Sequence, residues 1–316
     1  MINFNNGVEK ANIYTGVDDK TVVLYNNEIY MLKYPNPFRR RKLQDVQFYK
    51  NNQFSEHIGC EIFRSCGFVT QETVLGYFTG IEGKEKIVVG CKDFTKGGSS
   101  LHEIQGLAKQ IKSSDHIDHI DKAASKIENV DFIINNCVFL IDKEYFKRSF
   151  WDMFVIDALI GNDDRHLGNW GALEKDTVFT FAPVYDCGSS LAAGIEDSKM
   201  VTLLKDDVFF NGEELYIKSC YSLQGKRIVY YDIFQNPPGP LAEATKRTVP
   251  KINMDTINNI ITSIPELSDI RKGYLIKALG LRYKQILFPA YERIILKDKI
   301  LVAFNKAPAS GNSHEL

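Results

Sequence analysis

Five polar side chains in this chain have the types and spacing to move a phosphoryl group. In "LIGNDDRHLGN" (159–169), Asp164 and Asn169 have four residues between them, directly behind an apolar segment. A loop that turns tightly over that interval brings both side chains to one small volume. There a carboxylate can take a hydroxyl proton and an amide oxygen can hold a divalent cation. A second acidic stretch, "VYDCGSSL" (184–191), offers Asp186 to the same ion. Magnesium suits so sparse a set, because it keeps phosphate oxygens and waters as its other ligands. Lys33, in "IYMLKYP", supplies a cation for nucleotide phosphates, and Glu56 can align it, with Glu61 as the alternative partner.

Counting back five from Asn169 selects Asp164 as the base. Neighbouring side chains in an extended loop point apart, so Asp163 is expected to face elsewhere. His166 either approaches the transferred phosphate or braces the loop. Taken singly, each residue has an ordinary explanation: Asp163, Asp164 and Asn169 as turn formers, Lys33 as a solvated strand residue, Glu56 as a first-turn helix acid. Their joint occurrence, in this order and on these elements, is what points to chemistry.

The elements that must position them are legible in outline. "KTVVLYNNEIYMLKYP" (20–35) predicts a hairpin turning on Asn26-Asn27, with Lys33 near the end of its second strand. "SEHIGCEIFRSCG" (55–67) predicts a helix capped by Ser55 and stopped by Gly67, and two strands follow within 73–94. After "TKGGSS" (95–100) residues 101–160 look mostly helical, and 147–161 is apolar nearly all round, a buried helix. A β-like stretch covers 170–185 with a turn near Lys175, which would set Asn169 opposite residue 181 rather than 186; Pro183 is expected to bend the strand and close the gap. Helices return from about 199, broken by "QNPPGP" (235–240), expected as an irregular loop. The expected architecture is α+β and two-lobed: a small β-rich N-lobe (1–95), a larger helical C-lobe (96–306) and a flexible tail (307–316).

Composition narrows the partners. The 316 residues are 44% hydrophobic and 25% charged with net charge -1, so nothing overall favours nucleic acid or a membrane surface. No apolar run is long enough to span a bilayer, and "MINFNNGVEK" has no secretory-signal pattern. Six irregularly spaced cysteines form no CxxC pair, which points to free buried thiols in a reducing, cytoplasmic setting, with export by a non-standard route left open. "FRRRKL" (38–43) reads as a solvated basic loop, and "DHIDHID" (115–121) as the wet face of a helix with no metal assigned.

"LIGNDDRHLGN", "VYDCGSSL" and "MLKYP" followed by "SEHIGCEIFRSCGF" resemble the HipA-like serine/threonine kinases, over residues 10–210. The resemblance implies a protein-kinase-like fold, ATP with magnesium, and phosphorylation of serine or threonine hydroxyls on a protein. By position it makes Asp164 the base, Asn169 and Asp186 metal ligands and Lys33 the phosphate contact. It places the adenine hinge at the backbone of Gly90 and Cys91, with Asp93 near the ribose. Two features depart from the family. There is little room for its regulatory N-terminal subdomain, so a DNA-bound antitoxin partner is not expected. The candidate phosphate loop (5–20) has only Gly7 and Gly16, with Tyr14 and Thr15 as its hydroxyls. Lipid kinases share an Asp-Arg-His-x-x-Asn loop, and a catalytically silent binding module is the remaining alternative.

Overall fold

A computed structural model describes residues 1–11, 20–43, 46–80, 83–111 and 126–306, with side chains throughout except at 38–43, 46–49 and 304–306. The phosphate-loop glycine Gly16 with Tyr14 and Thr15, the "DHIDHID" stretch and the tail lie outside the described residues. The chain begins with β1 (Ile2–Asn3) and β2 (Val8–Lys10), then a hairpin of β3 (Lys20–Tyr25) and β4 (Glu28–Lys33). Asn26 and Asn27 form its turn at φ 48° and 61°, the left-handed geometry that asparagine tolerates and a two-residue hairpin requires. With β7 (Thr73–Thr79) and β8 (Glu85–Lys92) these strands make a six-stranded sheet of order β1-β7-β8-β4-β3-β2. β1 runs parallel to β7, and the other pairings are antiparallel.

Alternation along β4 decides where Lys33 points. Leu32 joins Phe4, Val23, Phe78 and Val88 in a small cluster on one face of the sheet. Met31 and Lys33 therefore take the other face, where α1 (Asn52–Ser65) packs on β7 and β8. Ser55 is not the cap: the helix starts at Asn52, and Ser55 is buried inside it. Asn52 is fixed to the chain leaving β4, since its side chain accepts from the Asn36 N–H at 2.8 Å and donates to the Tyr34 carbonyl at 2.9 Å. Gly67 at φ 84° ends the segment. The basic stretch at 38–43 is not a loop; it lies in β5 (Pro37–Leu43), which pairs with β6 (Val46–Tyr49).

The second half is mostly helical, with β-structure where helix was expected. β9 (Ser100–Glu103) precedes α2 (Ile104–Ala108) and α3 (Ile127–Asn136), and β9 pairs with β10 (Gly171–Lys175). β11 (Val178–Phe181) closes that three-stranded sheet. Its turn sits at Asp176-Thr177, and the register Ala172↔Phe181 would bring residue 184 opposite 169. The strand does not continue so far. After Pro183 the chain leaves the hairpin, the Val184 N–H bonds to the Val69 carbonyl, and the Val184 carbonyl accepts from the Gln71 N–H. That detour delivers Asp186 beside α1. Then follow α5 (Asp197–Leu204), α6 (Asp207–Leu215), the hairpin β12 (Lys218–Leu223) and β13 (Lys226–Val229), and α7 (Tyr230–Gln235). α8 (Gly239–Thr248), α9 (Met254–Thr262), α10 (Asp269–Arg282) and α11 (Phe288–Lys306) complete the described residues. The proline-rich stretch is shorter than expected as a loop, because Pro238 caps α8 and Pro240 sits in its first turn, where a missing N–H costs nothing.

α4 (Lys143–Ile160) is the pedestal. Phe146, Phe150, Met153, Phe154, Ile156, Leu159 and Ile160 are all buried, and each such side chain contributes roughly 1.5–3 kcal/mol. Asp142 caps its start by accepting from the Tyr145 N–H, and Gly161 ends it at φ 66°. A Cβ at 161 would lie 2.5 Å from Arg282 Nη1 and 2.7 Å from Ile217 Cδ1. Gly161→Ala is therefore expected to cost about 2 kcal/mol or more in urea unfolding, from the left-handed penalty plus displacement of Arg282. A change below about 0.5 kcal/mol, the range of ordinary surface substitutions, would contradict this.

Candidate active site

The catalytic loop leaves α4 through Gly161 and folds on itself. The Asn162 side chain accepts from the Asp164 N–H at 3.1 Å and donates to Asp157 at 3.0 Å. Asn169 Nδ2 donates to the Asp164 carbonyl at 2.8 Å, so its amide oxygen is the end left for another ligand. His166 is buried; its Nδ1 accepts from the Gly168 N–H at 3.0 Å, and its Nε2 lies 3.9 Å from Asp164 Oδ1. That is a bracing geometry for the loop. The Asp164 side chain is 53% exposed at the mouth of a cleft of about 970 Å³. Lys33, Glu56, Asp93, Asp164, Asn169 and Asp186 all line this cleft. Asp163 borders it as well.

The opposite wall is a charged triad. Lys33 Nζ donates to Glu56 Oε2 at 3.1 Å and to Asp186 Oδ1 at 2.9 Å. Glu56 is fully buried, and its other oxygen accepts the Asp186 backbone N–H at 3.0 Å. One glutamate thus holds both the lysine head and the metal-loop aspartate. Asp186 has φ 59°, a conformation fixed by these contacts rather than by its own preference. Glu61 bonds to Arg64 on the exposed side of α1 and has no part in the triad.

Arg165 joins the two loops. It is 1% exposed and pairs with the buried Asp157 of α4, Nε to Oδ2 at 3.0 Å. Its Nη1 donates to the carbonyls of both Asn169, at 2.9 Å, and Tyr185; its Nη2 reaches Cys187 Sγ at 3.3 Å. One guanidinium therefore spaces the main chain of the catalytic loop from that of the metal loop. Neither Arg165 nor Asp157 was selected from the sequence. Their partners are main-chain atoms distant along the chain, which no local pattern announces; Arg165 lying between two candidate site residues was the only available hint.

A family model described as the HipA-like C-terminal domain matches residues 13–209. The chain belongs to that HipA-like family. This HipA-like chain is 34% identical over 294 residues to the serine/threonine-protein kinase CtkA of Helicobacter pylori strain J99, covering 88% of this chain and 83% of that protein. It matches the crystal structure of the H. pylori proinflammatory kinase CtkA with a TM-score of 0.84 at 32% identity, over 94% of this chain and 98% of that one. HipA of Shewanella oneidensis MR-1, solved with HipB and operator DNA, matches with a TM-score of 0.53 at 11% identity over 91% of this chain and 68% of that one, a likeness of fold alone.

The residues expected at the adenine hinge, Gly90 and Cys91, are strand residues of β8. Gly90 pairs with Leu32 on one side and Val74 on the other, and Cys91 with Met31 and Thr73, so both lie within the sheet. Neither lines the cleft. Gly90 makes room for a ring: a Cβ there would meet Phe4 Cζ at 2.4 Å. The cleft edge is instead Asp93, Phe94 and Thr95. Asp93 Oδ1 accepts from the Thr95 N–H at 2.8 Å and the Thr95 hydroxyl at 2.6 Å, which ties the turn. Tyr185 stands across from it, its ring centroid 6.0 Å from that of Phe94. All six cysteines are free and buried.

Electrostatics keep Lys33 and Asp186 ionised. Burial pushes the Asp186 carboxyl up, but the Lys33 ammonium beside it outweighs this and holds it down to about 2. Burial likewise pulls Lys33 down, and Asp186 with Glu56 more than offsets it, leaving the ammonium well above the usual lysine range. The depressed carboxyl contributes stability that is present above the ordinary aspartate value near 4 and is lost as pH falls toward 2. The stability gap between wild type and Asp186→Asn is expected to stay flat from about pH 7 to 5 and to close between about pH 4 and 2. Urea melts across that range check it; a gap already closing at pH 6 would contradict the pairing.

Proposed function

We propose that this chain is an ATP- and magnesium-dependent serine/threonine protein kinase. The observation that carries the proposal is the meeting in one cleft of Lys33, Glu56 and Asp186 with Asp164 and Asn169, their loops spaced by one arginine. The kinship with CtkA, itself named a serine/threonine-protein kinase, supports it. The donor set fits a magnesium nucleotide: one carboxylate and one amide oxygen, both hard, with no group of three or more acidic, histidine or cysteine side chains among the described residues to form a protein cage.

When bound, ATP and its magnesium supply the phosphoryl group and most of the neutralising charge. Asp186 and Asn169 would hold the cation. Lys33, kept in line by Glu56, would face the phosphates, and must first release its bond to Asp186. Asp164 would orient the acceptor hydroxyl and take its proton, with His166 fixing the loop beneath. Backbone at 93–95 would face the base, and Asp93 the ribose. The acceptor is assigned as protein. Among the described residues no helix is long and apolar enough to cross a membrane.

Labelled ATP offered with a serine- and threonine-containing protein, and separately with phosphoinositide vesicles, tests the assignment. Label on serine or threonine is expected. Label on lipid alone would replace it with a lipid kinase, and nucleotide bound but never consumed would leave a binding module. Removing the phosphate contact with Lys33→Met is expected to slow transfer by about 10²-fold or more, the usual cost of one charge-stabilising group. An unchanged rate would remove Lys33 from the site.

A further inference from the structure

Four consecutive basic residues, Arg39, Arg40, Arg41 and Lys42, take no part in the triad or the catalytic loop, yet the fold brings their strand to the cleft. They lie in β5, which pairs with β6 in a two-stranded sheet of its own. Residues 37–50 hold five basic residues and one acidic, in a chain whose net charge is -1. The hairpin is therefore a local concentration of positive charge that the rest of the chain does not share.

The foot of this hairpin is fixed at the cleft. The Lys50 N–H bonds to the Asn36 carbonyl at 2.7 Å and closes it. One residue on, the Asn51 N–H bonds to the Ala193 carbonyl at 2.9 Å. Asn36, Lys50 and Asn52 line the same cleft as Asp164. Lys50 is exposed, and its charge is felt by the catalytic loop. Burial pushes the Asp163 carboxyl up, and the Arg227 guanidinium and the Lys50 ammonium both act against this. Arg227 belongs to β13, and its Nη2 lies 3.5 Å from the Asp163 carbonyl. Cations from two separate hairpins thus reach the neighbourhood of Asp164, where an acceptor hydroxyl must sit. Two carboxylates that line the cleft nearby are already paired. Glu214 is held by Tyr274 and Arg282, and Glu213 lies 3.2 Å from Lys199.

We propose that the β5–β6 hairpin, with Lys50 at its foot, selects acceptor proteins that carry acidic residues beside the target serine or threonine. The proposal rests on the protein-kinase assignment above and names the substrate class of that site. The hairpin starts and ends at the cleft, so an acceptor held on it stays within reach of Asp164. Arginine suits the task, because its planar fork meets a carboxylate with two parallel hydrogen bonds. Single exposed ion pairs are weak and screened by salt, so selection needs several together, which a run of four basic residues provides. Charge complementarity of this kind acts mainly on the choice of partner.

Steady-state kinetics with two peptide acceptors test this, the peptides differing only in acidic or neutral residues around one serine. Titration of a non-hydrolysable ATP analogue with magnesium runs alongside. In the wild type the acidic peptide is expected to have a KM about tenfold lower at low salt, and the gap should shrink at about 0.5 M salt, where charges are screened within a few ångströms. Changing Arg39→Gln, Arg40→Gln, Arg41→Gln and Lys42→Gln together is expected to bring the two KM values within about twofold, with analogue affinity also within about twofold. If that variant folds poorly, the exposed Lys50→Gln decides, with an expected rise of about threefold in the acidic-peptide KM alone. Equal KM values in the wild type, or a lower one for the neutral peptide, overturn the proposal. So does a wild-type gap kept by the fourfold variant, or by Lys50→Gln where it decides. An equal loss of analogue affinity would make the hairpin a nucleotide contact and overturn it too. Sedimentation with phosphatidylserine vesicles, without a preference for the acidic peptide, would replace it with a membrane contact. Label entering phosphoinositide and no peptide would instead remove the protein-kinase assignment on which the selection depends.

Discussion

Asp164→Ala and Asp186→Ala are each expected to lower phosphate transfer by about 10³-fold or more, a loss of transition-state stabilisation, with the fold intact. The fold survives because neither carboxylate is packed in the core, although Asp186→Ala also gives up the stability of the Lys33 pairing. The Asp164 side chain is 53% exposed, and the loop uses its N–H and carbonyl, not its carboxylate, to bond Asn162 and Asn169. The Asp186 side chain is 37% exposed, and removing it leaves Lys33 still paired with Glu56. Chemistry suffers because one change removes the group that aligns the hydroxyl and the other removes a charged ligand of the cation. Labelled transfer alongside thermal melting measures both. Wild-type transfer by either purified variant would remove that residue from the site.

Arg165→Met is expected to do the reverse and damage the fold first. It leaves Asp157, fully buried, with its charge uncompensated, a change that costs about 3–5 kcal/mol when one partner of a buried pair is removed. Adding Asp157→Asn is expected to restore much of that stability, because the second change removes the orphaned charge. Transfer should stay low in the double variant, since the carbonyls of Asn169 and Tyr185 have lost the donor they share. Urea unfolding and labelled transfer on the single and double variants measure the two effects separately. A loss below about 1 kcal/mol in Arg165→Met would contradict the buried pair; full transfer in the double variant would contradict the spacing role.

What was legible in the sequence was local. Asp164 and Asn169 share one loop, Lys33 stands at the end of the strand after an Asn-Asn turn, and the segment 147–161 of α4 is apolar nearly all round. What was missed depends on partners far along the chain. β9 is four residues long and has no pattern of its own; it becomes a strand because β10 lies beside it. Asp186 reaches the cleft because 183–184 leave one hairpin to run along Val69–Gln71, which counting across the turn could not foresee. Position 90 needs a glycine to make room for the Phe4 ring, a requirement set by a residue far along the chain. Glu56 was placed on its helix, yet its grip on the Asp186 N–H needed the fold.

The most direct test of the assignment is a crystal structure with a non-hydrolysable ATP analogue and manganese in place of magnesium, the ion located by its anomalous signal. The expected result is an ion bound by the Asn169 amide oxygen and an Asp186 carboxylate oxygen at about 2.1 Å, the distance such small divalent cations demand. Lys33 should have turned from Asp186 to the phosphates, and the terminal phosphate should face Asp164. An ion held by other residues, or a nucleotide lying outside this cleft, would contradict the assignment.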